Sequence, residues 1–404
     1  MGDILFLAHR IPFPPDRGDK IRSWNILKHL GTLARVHLAC FADDAADAAH
    51  LPVLRAAMGG SLGEAHVEVR TKPKLAAAAE ALRDGKPISL TAFDSAAMRG
   101  FVARMLERDG VDTVFAFSSQ MAQFVPARCR QRFVMDFVDM DSAKFAAYAG
   151  KGPMRWIHRR EAARLLEHER EVAARAHASL FVSPAEAALF GEHSSAGNVH
   201  AVSNGIDLSY YDPEADFERL PLPAAPLLVF SGQMDYRPNV EAICGFADNV
   251  LPIVLKTRPE VRLAVVGRNP SSAVRRLADR PNITVTGAVA DVRTWLAAAD
   301  IAVAPLEIAR GIQNKVLEAM AMARPVVASA AAFQGINAVS GRDLIVTDRP
   351  EAQAWHILDL LAHPSDAAEI GAAARRRMER HYRWEAQLAP LSALLGRAPR
   401  LVAA

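Results

Sequence analysis

At 404 residues the chain is long enough for two domains that each bury a core of their own. With 51% hydrophobic and 23% charged residues its composition is that of an ordinary globular protein, and a formal charge of +3 is too small to point to nucleic acid. The three cysteines (Cys40, Cys129 and Cys244) are scattered at spacings that suit neither a metal site nor a disulfide framework, which favours a reducing compartment.

The N-terminal MGDILFLAHR is acidic at Asp3 and only briefly apolar, so no signal peptide is expected, and no run approaches the roughly 20 apolar residues of a membrane span. The expected location is the cytoplasm, at most peripheral at the inner face of the membrane. Short apolar runs then alternate with helix-like segments. Strands are predicted in the first half at 4–8, 36–40, 67–69, 111–117, 133–138, 180–182 and 200–202. In the second half they fall at 227–230, 261–266, 283–285, 301–304, 326–328 and 344–346. Near-continuous apolar strands separated by helices predict parallel sheets covered on both faces. Pro213, Pro221, Pro223 and Pro226 fall between the two sets. The fold class is therefore α/β with two Rossmann-like domains, 1–202 and 203–383.

The first strand runs into HRIPFPPDRGDK, where three prolines favour an extended loop and Gly18 precedes a helix reaching about Leu30. The G-x-G-x-x-G of a dinucleotide fold is absent after this strand, which disfavours an oxidoreductase. Asp139 and Asp141, in DFVDMDSAK, stand at the carboxyl end of a strand, where open parallel sheets bind ligands. Two close carboxylates also suit a divalent cation beside phosphates. The segment 154–177 reads as a long helix dense in Arg and Glu. A solvated, salt-bridged surface is the plain reading; Arg155, Arg159 and Arg160 against an anionic membrane is the other.

Ser203-Asn204-Gly205-Ile206-Asp207 reads as a tight turn, Asn-Gly tolerating a left-handed backbone. Further strand exits follow at Ser231-Gly232-Gln233, Val266-Gly267-Arg268 and Thr286-Gly287-Ala288-Val289-Ala290-Asp291. In PLEIARGIQNKVLEAMAMARPVVAS (305–329), one strand leads through a loop and a helix into the next strand. Gly311 is expected where the loop enters the helix, whose N-terminal N–H groups favour an anion. Lys315 and Glu318, one turn apart, share nearly one face. A cation beside a carboxylate suits the diphosphate and ribose of a nucleotide-sugar; a solvated surface ion pair is the bland reading of the same residues. An amphipathic helix is predicted from about Trp384 to Leu395.

The run from Gly311 through Lys315-Val316-Leu317-Glu318-Ala319-Met320-Ala321 to Pro325-Val326-Val327 resembles the donor-binding signature of glycosyltransferase family 4. The specific part of the resemblance is confined to residues 226–329, the loop at Gly18 and the turn at Asn204. It implies a GT-B fold: two facing Rossmann-like domains with parallel sheets and an inter-domain cleft, residues 384–404 crossing back to the first domain. In that family the second Glu of an acidic pair eight positions apart grips the donor ribose; Glu318 matches it, and Arg310 stands in place of the first. Gly18 corresponds to the family's glycine loop, near donor and acceptor. Asp139 or Asp141 occupies the neighbourhood of a His that contacts the transferred sugar, and residues 286–291, with Val289 and Asp291, resemble the segment around the donor base. Many relatives grip the diphosphate with two cations where this chain has Gln233 and Asn239. Arg237, or Arg310 and Lys315 from the opposite side, is then expected to supply the charge, with Gly232, Gly311 and Asn314 completing the site. Asn204-Gly205 is assigned to hinge geometry.

HRIPFPPDRGDKIRSWN, DFVDMDSAKFAAYA and RGIQNKVLEAMA look like the sugar transferases associated with bacterial exosortase and exopolysaccharide systems. The implied activity is hexosyl transfer, with retention, from a nucleotide-sugar to a growing, lipid-linked glycan. No metal and no cofactor beyond the nucleotide-sugar co-substrate are implied. A nucleotide-sugar-binding scaffold that has lost catalysis is the rival, supported by Arg310, Gln233 and Asn239, and an epimerase on the same fold is a weaker third.

Overall fold

A computed structural model describes residues 2–150, 154–220, 225–309 and 311–397. It divides the chain into two compact units. One is Met1–Ser203 together with Leu388–Ala404, and the other is Asn204–Gln387.

The first unit is built on a seven-stranded sheet. Its strands are β1 (Asp3–Ala8), β2 (Val36–Ala42), β3 (Leu62–Val69), β4 (Val111–Phe117), β5 (Arg132–Val138), β6 (Ala178–Phe181) and β7 (Val199–Ala201). All pair in parallel, in the order β3-β2-β1-β4-β5-β6-β7. The second unit has β8 (Leu227–Ser231), β9 (Arg262–Val266), β10 (Ile283–Gly287), β11 (Ile301–Ala304), β12 (Val326–Ala328) and β13 (Ile345–Val346). Its sheet is also parallel, in the order β10-β9-β8-β11-β12-β13. Ile4 to Ala8, Leu227 to Phe230 and Ile301 to Ala304 are buried throughout. The apolar runs are strands for the reason their sequence suggests: in a parallel sheet covered on both faces, both faces favour apolar residues.

Strand order reverses beside β1 and β4 in the first sheet and beside β8 and β11 in the second. At such switch points the loops leaving the carboxyl ends diverge and leave room for a ligand. Glu318, Lys315 and Gly232 follow from strands at the second switch. Gly18 belongs to the first, and Asp139 and Asp141 lie one strand further along.

Two local expectations need correction. Gly311 does not open the helix: it sits in the preceding loop with φ 64°, and the helix Asn314–Ala321 begins after Gln313. Asn204-Gly205 is not a left-handed turn, since neither residue has a positive φ. Gly205 is required by close approach instead, because a Cβ there would lie 2.7 Å from the backbone N and Cα of Trp384. The returning helix Trp384–Leu394 is shared, its residues to Gln387 belonging to the second unit and those from Leu388 to the first. Arg132 Nε there donates to the Leu394 carbonyl at 2.8 Å.

Candidate functional site

In the second unit the site grows from one amphipathic helix. Asn314–Ala321 buries Val316, Leu317, Ala319, Met320 and Ala321, which leaves Asn314, Lys315 and Glu318 for the opposite face. Lys315 does not extend into solvent as a surface lysine would. Its Nζ donates to Asn239 Oδ1 and sits 4.5 Å from the centre of the Phe230 ring, at the end of β8. Asn239 Nδ2 donates in turn to the Gln233 carbonyl at 2.9 Å. Gly232, with φ 152°, keeps this space clear: a Cβ there would come 2.9 Å from Asn239 Nδ2 and 3.2 Å from Lys315 Nζ.

Lys315 therefore contacts Asn239, one of the two positions that lack a cation. Burial lowers its pKa to about 7, against the pull of Glu318. Burial raises Glu318, opposed by a hydrogen bond from the Tyr211 hydroxyl and by Lys315. Tyr211 is itself buried, and its hydroxyl is held well above the usual range by burial and by Glu318. The bland reading of a solvated ion pair fails here. The two groups feel each other, yet each makes its nearest bond to a neutral partner.

Asn314 Oδ1 accepts from Asn204 Nδ2 at 3.2 Å, so the Asn204 segment supports this helix. Asp291 accepts from the Arg293 backbone at 2.9 Å, which caps the helix Val292–Ala298. It also pairs with the Arg293 guanidinium at 2.6 Å and accepts from Tyr210 Oη at 3.1 Å. Burial pushes Asp291 up, but these partners hold it below the ordinary carboxylate range. Val289 is half-buried in the same loop. Arg237 is half-exposed and pairs with Glu241 at 2.7 Å along its own helix. Arg310 lies outside the described residues.

In the first unit Gly18 is the first residue of the helix Gly18–Leu33. The adjoining Asp19 receives His9 Nε2 at 3.1 Å and Arg10 Nη1 at 2.7 Å. Although burial pushes Asp19 up, His9 and the arginines hold it well below the carboxylate range. His9 stacks on Phe117 at 5.7 Å, burial lowers its pKa, and its Nδ1 is buried with no partner among the described residues.

The loop bearing Asp139 and Asp141 is strained and heavily tied. Val138 adopts φ 70°, rare for a β-branched residue, while Asp139 N donates back to the Phe137 carbonyl at 3.0 Å. Buried Asp136 accepts from Arg22 Nε at 2.9 Å and from Val138 N at 3.0 Å. Glu186 accepts from Met140 N at 2.9 Å and Glu169 from Ser142 N at 3.0 Å. Strain of this kind persists where surrounding bonds over-determine it, as they do at many functional sites. Burial pushes Asp139 to about 7, with Lys144 opposing and Glu186 and Asp141 adding to the rise. Its Oδ1 is buried without a hydrogen-bond partner among the described residues. Asp141 is better satisfied, accepting from Ser119 Oγ at 3.1 Å and lying 3.7 Å from Lys144 Nζ.

Sequence reasoning missed Tyr211, Tyr210 and His9. The aromatic pair follows the Asn204 turn and His9 follows the first strand directly, so position was the available signal for each.

Residues 225–363 match the family described as Glycosyl transferases group 1. A phosphatidyl-myo-inositol mannosyltransferase of Propionibacterium freudenreichii is 30% identical over 161 residues, and the match spans 39% of this chain and 39% of that protein. Two solved structures resemble the chain along 98% of its length. Sucrose-phosphate synthase from Thermosynechococcus elongatus has TM-score 0.71 and 18% identity over 98% of its own chain. Anabaena HepE, in complex with UDP and glucose, has TM-score 0.68 and 15% identity over all of its chain. Residues 225–363 of the second unit thus resemble a glycosyl transferases group 1 domain, on a chain with the α/β fold of GT-B glycosyltransferases.

Proposed function

We propose that the protein is a glycosyltransferase that moves a sugar from a nucleotide-sugar to a glycan acceptor, and that the second unit binds the donor. The observation that carries this reading is the half-buried Lys315 held on buried Asn239 beside Gly232 and Glu318. An amine desolvated at the end of a parallel strand gains most from an anion, and the adjacent carboxylate can accept ribose hydroxyls. The diphosphate is assigned to Lys315, Gly232 and the backbone leading into Asn314, and the ribose to Glu318, which Tyr211 orients. The loop with Val289 and Asp291 is assigned to the base. Asp291 positions its helix and Tyr210, so base recognition falls chiefly to the loop's backbone groups.

Transfer requires the sugar–phosphate bond to break and the diphosphate to leave with added negative charge. Lys315 and the oriented N–H groups stabilise that charge without a metal. Asp139 and Asp141 are assigned to the transferred sugar, Asp139 being the one whose charge the protein leaves least compensated. Retention of configuration, a lipid-linked acceptor and a place in exopolysaccharide or cell-envelope synthesis remain part of the proposal, on the resemblance of the three motifs. The assignment of the first unit to the acceptor side is part of it as well.

The test is a thermal-shift screen of nucleoside diphosphates and their sugars, followed by product assay. Because Anabaena HepE was solved with UDP and glucose and a relative is a mannosyltransferase, UDP-sugars and mannosyl donors come first. Binding with acceptor-dependent release of nucleoside diphosphate supports the transferase. Binding without turnover on any acceptor identifies the scaffold, and a C-epimer without nucleotide release identifies the epimerase. No thermal shift by any nucleotide would overturn the donor site.

A further inference from the structure

We infer that a cavity at the carboxyl ends of β2 and β3 is a subsite for a neutral sugar residue of an oligosaccharide acceptor, further along that acceptor than the residue receiving the new sugar. The cavity has a volume of about 320 Å³, at the small end of the range for ligand pockets and suited to one sugar residue. Phe41 of β2 and Phe93 form part of its wall. Glu68 and Arg70 enter from the end of β3, and Asp94 and Ser95 from the turn before the helix Ala96–Leu106.

These side chains hold one another in place. Arg70 Nη2 donates to Asp43 at 2.8 Å, and its guanidinium lies 4.8 Å from the centre of the Phe93 ring. Ser95 Oγ donates to Glu68 at 2.7 Å and accepts from Met98 N at 3.1 Å, which caps the helix. Asp94 pairs with Arg99, and Lys72 with Glu80 at 2.9 Å. Hydrogen-bonding capacity is left over for both donors and acceptors. A guanidinium offers about five N–H donors, and among the described residues Arg70 gives one of its side-chain donors to a protein acceptor. Glu68 Oε1 and Asp94 Oδ2 have no hydrogen-bond partner among the described residues. Charge then selects the ligand class. An anion would meet Glu68 and Asp94, and a cation would meet Arg70 and Lys72. A neutral polyol answers both, because each hydroxyl donates to a carboxylate or accepts from a guanidinium.

Position along the sheet supplies the order of the sugars. β3 lies two strands beyond β1, about 10 Å at the usual strand spacing, on the side away from β5 and Asp139. The ground between is continuous. His9 packs against Phe93 with ring centres 6.1 Å apart, and Asp43 accepts from both Arg70 and Arg10, which also bonds Asp19 beside Gly18. An acceptor whose end lies near Gly18 and Asp139 reaches the cavity only through further sugars, so an oligosaccharide end is preferred to a monosaccharide. The inference rests on the proposed function for the acceptor role; sugar binding in the cavity does not require the nucleotide.

The experiment is binding of the full chain, without nucleotide, to immobilised neutral and acidic oligosaccharides of increasing length. The parent is expected to retain neutral oligosaccharides and to bind the corresponding monosaccharides at least about tenfold more weakly. Ala97→Trp sets a bulky ring at an exposed position on the cavity's rim and should lower binding at least about tenfold. Glu68→Gln, whose amide oxygen still accepts from Ser95, should lower it about fivefold by removing a charge-assisted bond. Both variants should keep the parent's melting temperature, which excludes misfolding. Oligosaccharide binding by a chain that no nucleotide stabilises would remove the donor site and leave the cavity assignment standing. Failure to retain any neutral oligosaccharide would overturn the inference. So would retention of acidic oligosaccharides alone, or equal binding by the parent and both variants.

Discussion

The two sheets place charged residues at equivalent ends of their strands and treat them in opposite ways. In the first unit most charge is answered by opposite charge. Arg10 and Arg17 share Asp19 and Asp43, Arg70 also bonds Asp43, and Arg22 grips Asp136. In the second unit Lys315 and Glu318 are half-buried, and their closest partners are an amide and a phenol. Opposite charges offset part of each other's desolvation, whereas Lys315 and Glu318 have neutral nearest partners and stand to gain more from a charged or hydroxyl-bearing ligand. In the first unit the buried carboxylates of Glu161, Glu169 and Glu186 are satisfied by backbone N–H groups, while Asp139 keeps one oxygen without a hydrogen-bond partner among the described residues; in the second, the proposed site would answer Lys315 and Glu318 with an anion and hydroxyls.

Breaking the contrast at Lys315 should have the largest effect. Lys315→Met removes a buried cation, so the free protein should melt higher, while nucleoside diphosphate affinity falls by about 1.5–3 kcal/mol, one to two decades. Calorimetric titration and melting of the same variant read both; a lower melting point with unaltered affinity would make Lys315 structural. Glu318→Gln should fall in the same range for affinity. The amide keeps a bond to Tyr211 but cannot accept two ribose hydroxyls, and an unchanged dissociation constant would remove Glu318 from the ribose.

The exception in the first unit comes next. Asp139→Asn should reduce turnover at least tenfold, about 1.4 kcal/mol, and leave nucleoside diphosphate binding intact. Chelator should do little to the parent; activity lost to chelator and restored by a divalent cation would assign the Asp139–Asp141 pair to a metal instead.

Acidity sharpens the comparison without mutation. Below a pH of about 7 Lys315 is protonated in the free protein and can hold a diphosphate. Above it the free protein loses that proton while the bound form keeps it, so affinity should fall by up to about tenfold per pH unit. Lys315 is depressed in the folded state relative to the unfolded one, so the parent should also gain stability as pH rises from about 7. Lys315→Met should abolish both slopes, and titrations at several pH values check this.

Smaller effects are expected where strain or surface charge is touched. Val138→Gly should relieve the positive φ and stabilise the fold by about 1 kcal/mol, with turnover falling as Asp139 loses its fixed orientation. Denaturant unfolding beside an activity assay separates the two. Arg237→Ala should change donor affinity less than twofold and stability by at most about 0.5 kcal/mol, since it removes an exposed pair with Glu241. A tenfold loss of affinity would return Arg237 to the diphosphate.

The strands were legible from sequence because a parallel strand covered on both faces must be apolar along its length. Ile4–Ala8, Leu227–Phe230 and Ile301–Ala304 are such runs, and each lies in a strand at that place. The helix bearing Lys315 and Glu318 was legible from its apolar spacing, and its neighbours in sequence placed it after β11. The electrostatic state of those two residues was not. Whether a Lys–Glu pair is solvated or buried depends on what the fold lays over it, and here that is Asn239 and Phe230 on one side and Tyr211 on the other, residues far away in the chain. Gly205 illustrates the same limit: its identity suggested a turn, but Trp384, brought against it by the fold, is what forbids a side chain. Local pattern determines which segments are strands and helices because that choice is made within a turn or two of chain. Tertiary structure alone decides which charges are answered, because desolvation and pairing are properties of the assembled neighbourhood.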